Sequence, residues 1–207
     1  MTTIEPTRTA LVAVHLQNDI VGAQGAFAPF FRAEVERTGV LKTAARVLDE
    51  ARAAGVKIVY TRVAFQSGYP DLVPNSPLLG MVAQNKCLVD GTPGAALCDE
   101  ATPADGDVVV THQRVSGFRA SELDIVLRGA GVDTVVLLGV ATNASLEGTA
   151  REASDLGYRT VVVSDGCSAA SEAAHNASLE SLGLLAEIVT SDELSAAYTS
   201  RAAGVSA

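Results

Sequence analysis

Six short runs rich in β-branched and aliphatic residues, at 10–15, 56–63, 107–111, 134–138, 160–163 and 187–189, alternate along the chain with stretches of helical character. Such alternation is the signature of β-α-β units around a parallel sheet. After the first run and a Gly- and Phe-containing loop, Leu41, Ala44, Ala45, Leu48 and Ala51 keep helical spacing up to a stop at Gly55. The second run leads into a long loop reaching to about residue 93. Pro70, Pro74 and Pro77 keep it from being one strand or one helix, and only a short helix near 78–83 is expected in it. Ser121 reads as the cap of a helix through Arg128, with Asp124 three residues on, and further helices are expected at 144–156, 171–182 and 192–198. Right-handed crossovers turn this series into a doubly wound α/β sheet of six parallel strands between two helical layers. The order of the strands stays open.

At 207 residues the chain fits one domain, 1–207, and no Pro-, Gly- or Ser-rich linker divides it. With 48% hydrophobic and 19% charged residues it has the makings of a core, not of a disordered tail. The net charge of −9 makes nucleic acid and anionic membrane poor partners, because affinity for either comes from cations. No signal peptide is expected from the first ten residues. The longest apolar stretch, 135–141, is broken by Gly139 and is far short of the roughly 20 residues that cross a bilayer. Cys87, Cys98 and Cys167 are odd in number and form no CxxC pair, which fits free buried thiols in a reducing cytoplasm better than a disulfide or zinc site.

Ligands of open α/β sheets sit beyond the carboxyl ends of the strands, so residues just after each strand are the first candidates for chemistry. His15 ends the first run, His112 follows the third, and Ser145 stands at the start of the helix after the fourth. Two imidazoles and a hydroxyl could supply a base, an orienting group and a nucleophile. Spacing alone reads the same residues more readily as polar groups satisfied at strand ends and as a serine at a helix N-terminus. His175, in a polar helical stretch, has no evident chemical role. Phe30, Phe65 and Phe118 fall in loops at the same edge of the sheet and are candidate pocket walls.

Five segments, in order, resemble the isochorismatase-like or cysteine hydrolases, a family of isochorismatases, nicotinamidases, N-carbamoylsarcosine amidases and ureidoacrylate amidohydrolases. They are ALVAVHLQND at 10–19, GTPGA at 91–95, GDVVVTHQRVSGF at 106–118, GVATNASLEGTAREA at 139–153 and YRTVVVSDGCSA at 158–169. The resemblance implies a three-layer α/β/α fold and an Asp, Lys and Cys at the catalytic positions. Those positions are held here by His15, His112 and Ser145, each still capable of proton transfer or nucleophilic attack. It further implies an oxyanion hole from the backbone N–H groups of Ala141 and Ser145 around a cis Val140–Ala141 peptide, with Thr142 of the same segment in the pocket. The family's metal-binding pattern after the second strand is missing from TRVAFQSG at 61–68, so neither metal nor other cofactor is expected. Asp19 and Asp165 are the carboxylates near the motifs, but their family counterparts look structural.

Three outcomes stay open: a rewired Ser–His hydrolase of a small amide or ester, a silent member that binds a small molecule or protein partner, and a vinyl-ether hydrolase of isochorismatase type. A small-molecule substrate is expected in the catalytic cases, and a homodimer or larger assembly in all three.

Overall fold

The computed structural model describes residues 4–202. β1 (Thr9–Val14) leads through α1 (Asn18–Val21), α2 (Ala28–Thr38) and α3 (Val40–Ala53) to β2 (Lys57–Val63). α4 (Pro77–Asn85) interrupts the long loop before β3 (Val108–His112), and α5 (Leu123–Gly129) connects to β4 (Thr134–Val140). A wide π turn (Thr142–Leu146) opens α6 (Glu147–Asp155), followed by β5 (Arg159–Ser168), α7 (Glu172–Leu182), β6 (Glu187–Val189) and α8 (Ser191–Ala202). All six strands run parallel in the order β3-β2-β1-β4-β5-β6, flanked by helices. The chain starts in the middle of the sheet, builds outward to β3 and crosses back to β4. The switch point therefore lies between β1 and β4, where a crevice opens at their carboxyl ends.

β1 and β4 are buried at every residue because helices cover both faces, which is why they read as continuous apolar runs. Edge strand β3 instead exposes Val109 and Thr111. α3 buries Val40, Leu41, Ala44, Val47, Leu48 and Ala51 along one stripe across β1, β2, β4 and β5, each larger aliphatic contributing about 1.5–3 kcal/mol by leaving water. No helix among the described residues is long and apolar enough to cross a membrane.

Four local readings differ from the sequence expectation. α2 stands where a loop was expected, since it buries only Val35 completely and is held by Arg32–Glu36 and Arg37–Glu34 ion pairs rather than by a broad apolar face. Ser121 does not cap α5. Its hydroxyl donates to the Gly117 carbonyl while accepting from the Leu123 N–H, and Glu122 is the cap residue. The helix expected over 144–156 begins only at Glu147, after the π turn. β5 runs on past Val163 to Ser168, because a register irregularity carries it from the Leu137–Val162 pair to the Gly139–Cys167 pair. The irregular segment carries Asp165, whose carboxylate takes the Ser191 N–H at 2.7 Å and the Ser191 hydroxyl at 2.5 Å and so anchors α8.

Candidate active site

β2 lies between the two strands that carry the imidazoles. The His15 N–H donates to the Thr61 carbonyl (3.0 Å), and the His112 carbonyl accepts from Ala64 (3.2 Å). His15 leaves β1 in the left-handed region at φ 54°, a conformation that costs a non-glycine residue about 1–2 kcal/mol and tends to cluster at functional sites. The segment is held there by Gln17, fully buried. Its Nε2 donates to the carbonyls of Val63 and Ala95, each at 2.8 Å, and its Oε1 accepts from the Val63 N–H at 2.7 Å. Asp19 accepts the Leu88 N–H at 2.7 Å, and a Cβ on Gly94 would lie 2.3 Å from that carboxylate, so the GTPGA loop needs its second glycine.

Across β2 the two rings meet, Nε2 to Nε2 at 2.8 Å, with centroids 4.9 Å apart. Burial drives the His15 pKa well below the ordinary value of 6.5, and repulsion from His112 adds to it. Burial pushes His112 down to about 4, with the Arg114 backbone pulling weakly the other way. Both rings are neutral at pH 7, so a single proton lies between the facing nitrogens. Nδ1 of His112 is buried with no hydrogen-bond partner among the described residues. Neither Asp19 nor Asp165 reaches the pair, and each is committed to backbone amides elsewhere. The group facing His15 is a second imidazole, not a carboxylate.

The depressed pKa values make stability acid-sensitive. An unfolded histidine takes its proton near pH 6.5 while the native His112 resists until about 4, so the unfolded chain binds more protons between those limits and stability falls as pH drops through them. His112 alone should account for a loss of about 3 kcal/mol between pH 6.5 and 4. Urea unfolding across that range should show the wild type losing about that much more than a His112→Asn variant; parallel pH dependences would contradict it.

Ser145 lies in the π turn after β4, where the Ala144 and Leu146 N–H groups both donate to the Ala141 carbonyl at 3.1 Å. The Thr149 hydroxyl donates to the Ser145 carbonyl at 2.6 Å and accepts the Gly117 N–H at 2.9 Å, tying this turn to the segment after β3. The Val140–Ala141 peptide bond is cis. His15, Val140, Ala141 and Ser145 line one cavity of about 70 Å³ at the switch point. Among the described residues no hydrogen bond joins the Ser145 hydroxyl to either imidazole.

The cavity walls correct the expected pocket. Its aromatic side chains are Phe27 and Phe31, joined by Ile20, Leu78, Leu79 and Val82. Phe30 lies 46% exposed, because the unforeseen α2 turns its neighbours inward instead. Phe65 is fully buried beside Tyr69, and Phe118 packs on Tyr158, so both are core residues and neither is on the cavity wall. Thr142 is buried too, its hydroxyl 2.9 Å from His175 Nδ1 and its carbonyl 3.1 Å from the Ser178 hydroxyl. That gives His175 a place: it ties α7 to the turn that carries Ser145. Sequence reasoning also passed over Gln17 and Arg114, although both stand within motifs already quoted; neither carries periodicity or spacing that would mark it.

An Isochorismatase domain model matches residues 9–193. The chain is 33% identical to an isochorismatase family protein from Bacillus subtilis over 85% of its own length and 86% of that protein's. It is 32% identical to a ureidoacrylate amidohydrolase from Agrobacterium fabrum, over 79% and 77% of the two chains. Among solved structures, a cysteine hydrolase from Pseudomonas syringae superposes with a TM-score of 0.85 at 26% identity, covering 97% of this chain and 96% of that one. An N-carbamoylsarcosine amidase from Thermoplasma acidophilum superposes at 0.73 with 28% identity, covering 89% and 97%.

Proposed function

The chain belongs to the isochorismatase family, and from that premise we propose that it hydrolyses a small amide or ester through Ser145, with the His15–His112 pair as its proton relay. The observation that carries this is the Nε2–Nε2 contact at 2.8 Å beside a cavity that His15 and Ser145 both line; with Nε2 engaged, the role of base falls to Nδ1. In the productive tautomer His15 donates its Nε2–H to His112 Nε2, and His112 keeps its own proton on Nδ1. His15 Nδ1 is then a bare acceptor and a competent base. The amidase relatives favour a C–N bond as the one cleaved.

Ser145 Oγ attacks the substrate carbonyl carbon while its proton passes to His15 Nδ1. The Ala141 and Ser145 backbone N–H groups are the proposed donors to the oxyanion. The resulting imidazolium is braced by the neutral His112 acceptor, weaker than a carboxylate but strengthened by the dry surroundings. As the C–N or C–O bond breaks, the proton on Nδ1 goes to the leaving amine or alcohol. Water then attacks the acyl-serine and gives a proton to His15, which returns it to Ser145 Oγ as the carboxylic acid departs. In this mechanism the Ser145 hydroxyl meets His15 Nδ1 as substrate binds, since catalytic contacts of this kind tighten in the Michaelis complex.

Intact-mass measurement after brief mixing with a panel of activated esters, amides and isochorismate tests the reading. The wild type should gain the mass of an acyl group, mapped by peptide digestion to Ser145, and Ser145→Ala should gain none. Turnover equal in wild type, Ser145→Ala, His15→Ala and His112→Ala would leave a silent binding protein. Cleavage of isochorismate alone, without a covalent adduct, would favour vinyl-ether chemistry.

A further inference from the structure

Resting on hydrolysis at Ser145, we propose that the substrate carries a carboxylate and that Arg114 reads it across an apolar acyl site. Arg114 is, among the described residues, the one formally charged side chain on the cavity wall. Among the described residues of this acidic chain nine other arginines hold carboxylate partners, Arg52 with Asp107 and Arg159 with Glu187 among them. Arg114 holds no ion pair among the described residues; its Nη2 donates to the neutral Asn75 amide oxygen at 3.1 Å. Arg114 is half-buried, and with no carboxylate partner among the described residues its charge is available to a ligand in the cavity it lines.

The arginine is also well positioned. Asn75 directly precedes Ser76, whose hydroxyl caps α4 by accepting the Leu79 N–H, and Leu78 and Leu79 of that helix wall the cavity. Only Gln113 separates Arg114 from His112, so the anion subsite and the imidazole pair leave β3 on one short segment. With one donor to Asn75, the guanidinium fork retains enough N–H groups to take a carboxylate in bidentate fashion. A single cation matches one negative charge, which favours a carboxylate over a doubly charged phosphate. The same wall carries Ile20, Phe27, Phe31 and Leu79, which suits a hydrocarbon linking part in the substrate.

Calorimetric titration separates this from catalysis, with butanoate, hexanoate, their neutral primary amides and butyl phosphate as probes. Wild type and Ser145→Ala should both bind the carboxylates at least about tenfold tighter than the amides. Arg114→Met should erase that preference, and Arg114→Lys, which keeps the charge and a similar stem, should restore part of it. Equal affinity for acid and amide in the wild type, a preference that survives Arg114→Met, or tighter binding of butyl phosphate than of butanoate would each overturn the assignment. A carboxylate preference intact in a protein that forms no acyl-enzyme would leave the anion subsite standing and remove only the hydrolytic reading.

Discussion

Turnover should fall about 10³-fold when His15 is replaced by alanine, and nearly as far for His112→Ala, with the double variant no slower than the worse of the two. A positioned general base contributes about 10²–10⁴ in rate, and in the proposed mechanism His15 acts as that base only while His112 accepts its Nε2–H. Without His112 the His15 ring is free to rotate or to carry its proton on Nδ1, where it blocks attack. Residues that work as a unit lose their effect once, not twice. A double-mutant cycle in kcat/KM on the best substrate of the panel measures this. Losses that multiply would show two independent roles and remove the relay. The wild-type profile should stay flat through neutrality and fall only in acid, because burial holds His15 neutral well below its ordinary range.

Much of the fold is legible in the residues, and the reason is physical. Central strands buried on both faces leave uninterrupted runs such as Thr134–Val140, and α3 leaves a stripe that ends at Gly55 with φ 78°. α2 escapes because Val35 and the partly buried Phe31 are too few to mark an apolar face among its surface ion pairs. The continuation of β5 escapes because Ser164, Asp165 and Gly166 look like a turn until β4 is seen pairing with Cys167 beyond them.

The site divides along the same line. Strand ends are readable, so His15, His112 and Ser145 stand out as residues at one edge of the sheet. Contact across a third strand is not: 97 residues separate the imidazoles, and only the order β3-β2-β1 brings their rings together over β2. Pocket walls are legible least of all, since they depend on helix phase. Phe30 and Phe31 are adjacent in sequence, yet only Phe31 lines the cavity. Arg114 stands out only because no carboxylate among the described residues meets it, which no one-dimensional pattern contains.

Gly139→Ala should be the most damaging single methyl in the protein, destabilising it by about 4 kcal/mol, the sum of a special backbone conformation and an overpacked contact. Gly139 pairs with Val14 on β1 at φ 131°, and an added Cβ would stand 2.1 Å from the Val14 carbonyl oxygen and 2.9 Å from its nitrogen. Those atoms belong to two packed central strands and have nowhere to go. Gly157→Ala supplies the comparison: its φ is 84°, but no atom lies within 4 Å of the new carbon, so only the left-handed penalty of about 1–2 kcal/mol applies. Urea unfolding of both variants separates conformation from contact, and equal losses would show that the close approach of β1 and β4 costs nothing. The position matters for chemistry as well. Val14 precedes His15, and Gly139 precedes the turn that carries Ala141 and Ser145, so a methyl that pries these strands apart also separates the proposed base from the proposed nucleophile. Any Gly139→Ala protein that still folds, made and assayed in the cold where unfolding is slowed, should therefore lose turnover beyond its loss of folded molecules, whereas Gly157→Ala should lose turnover only in proportion to them.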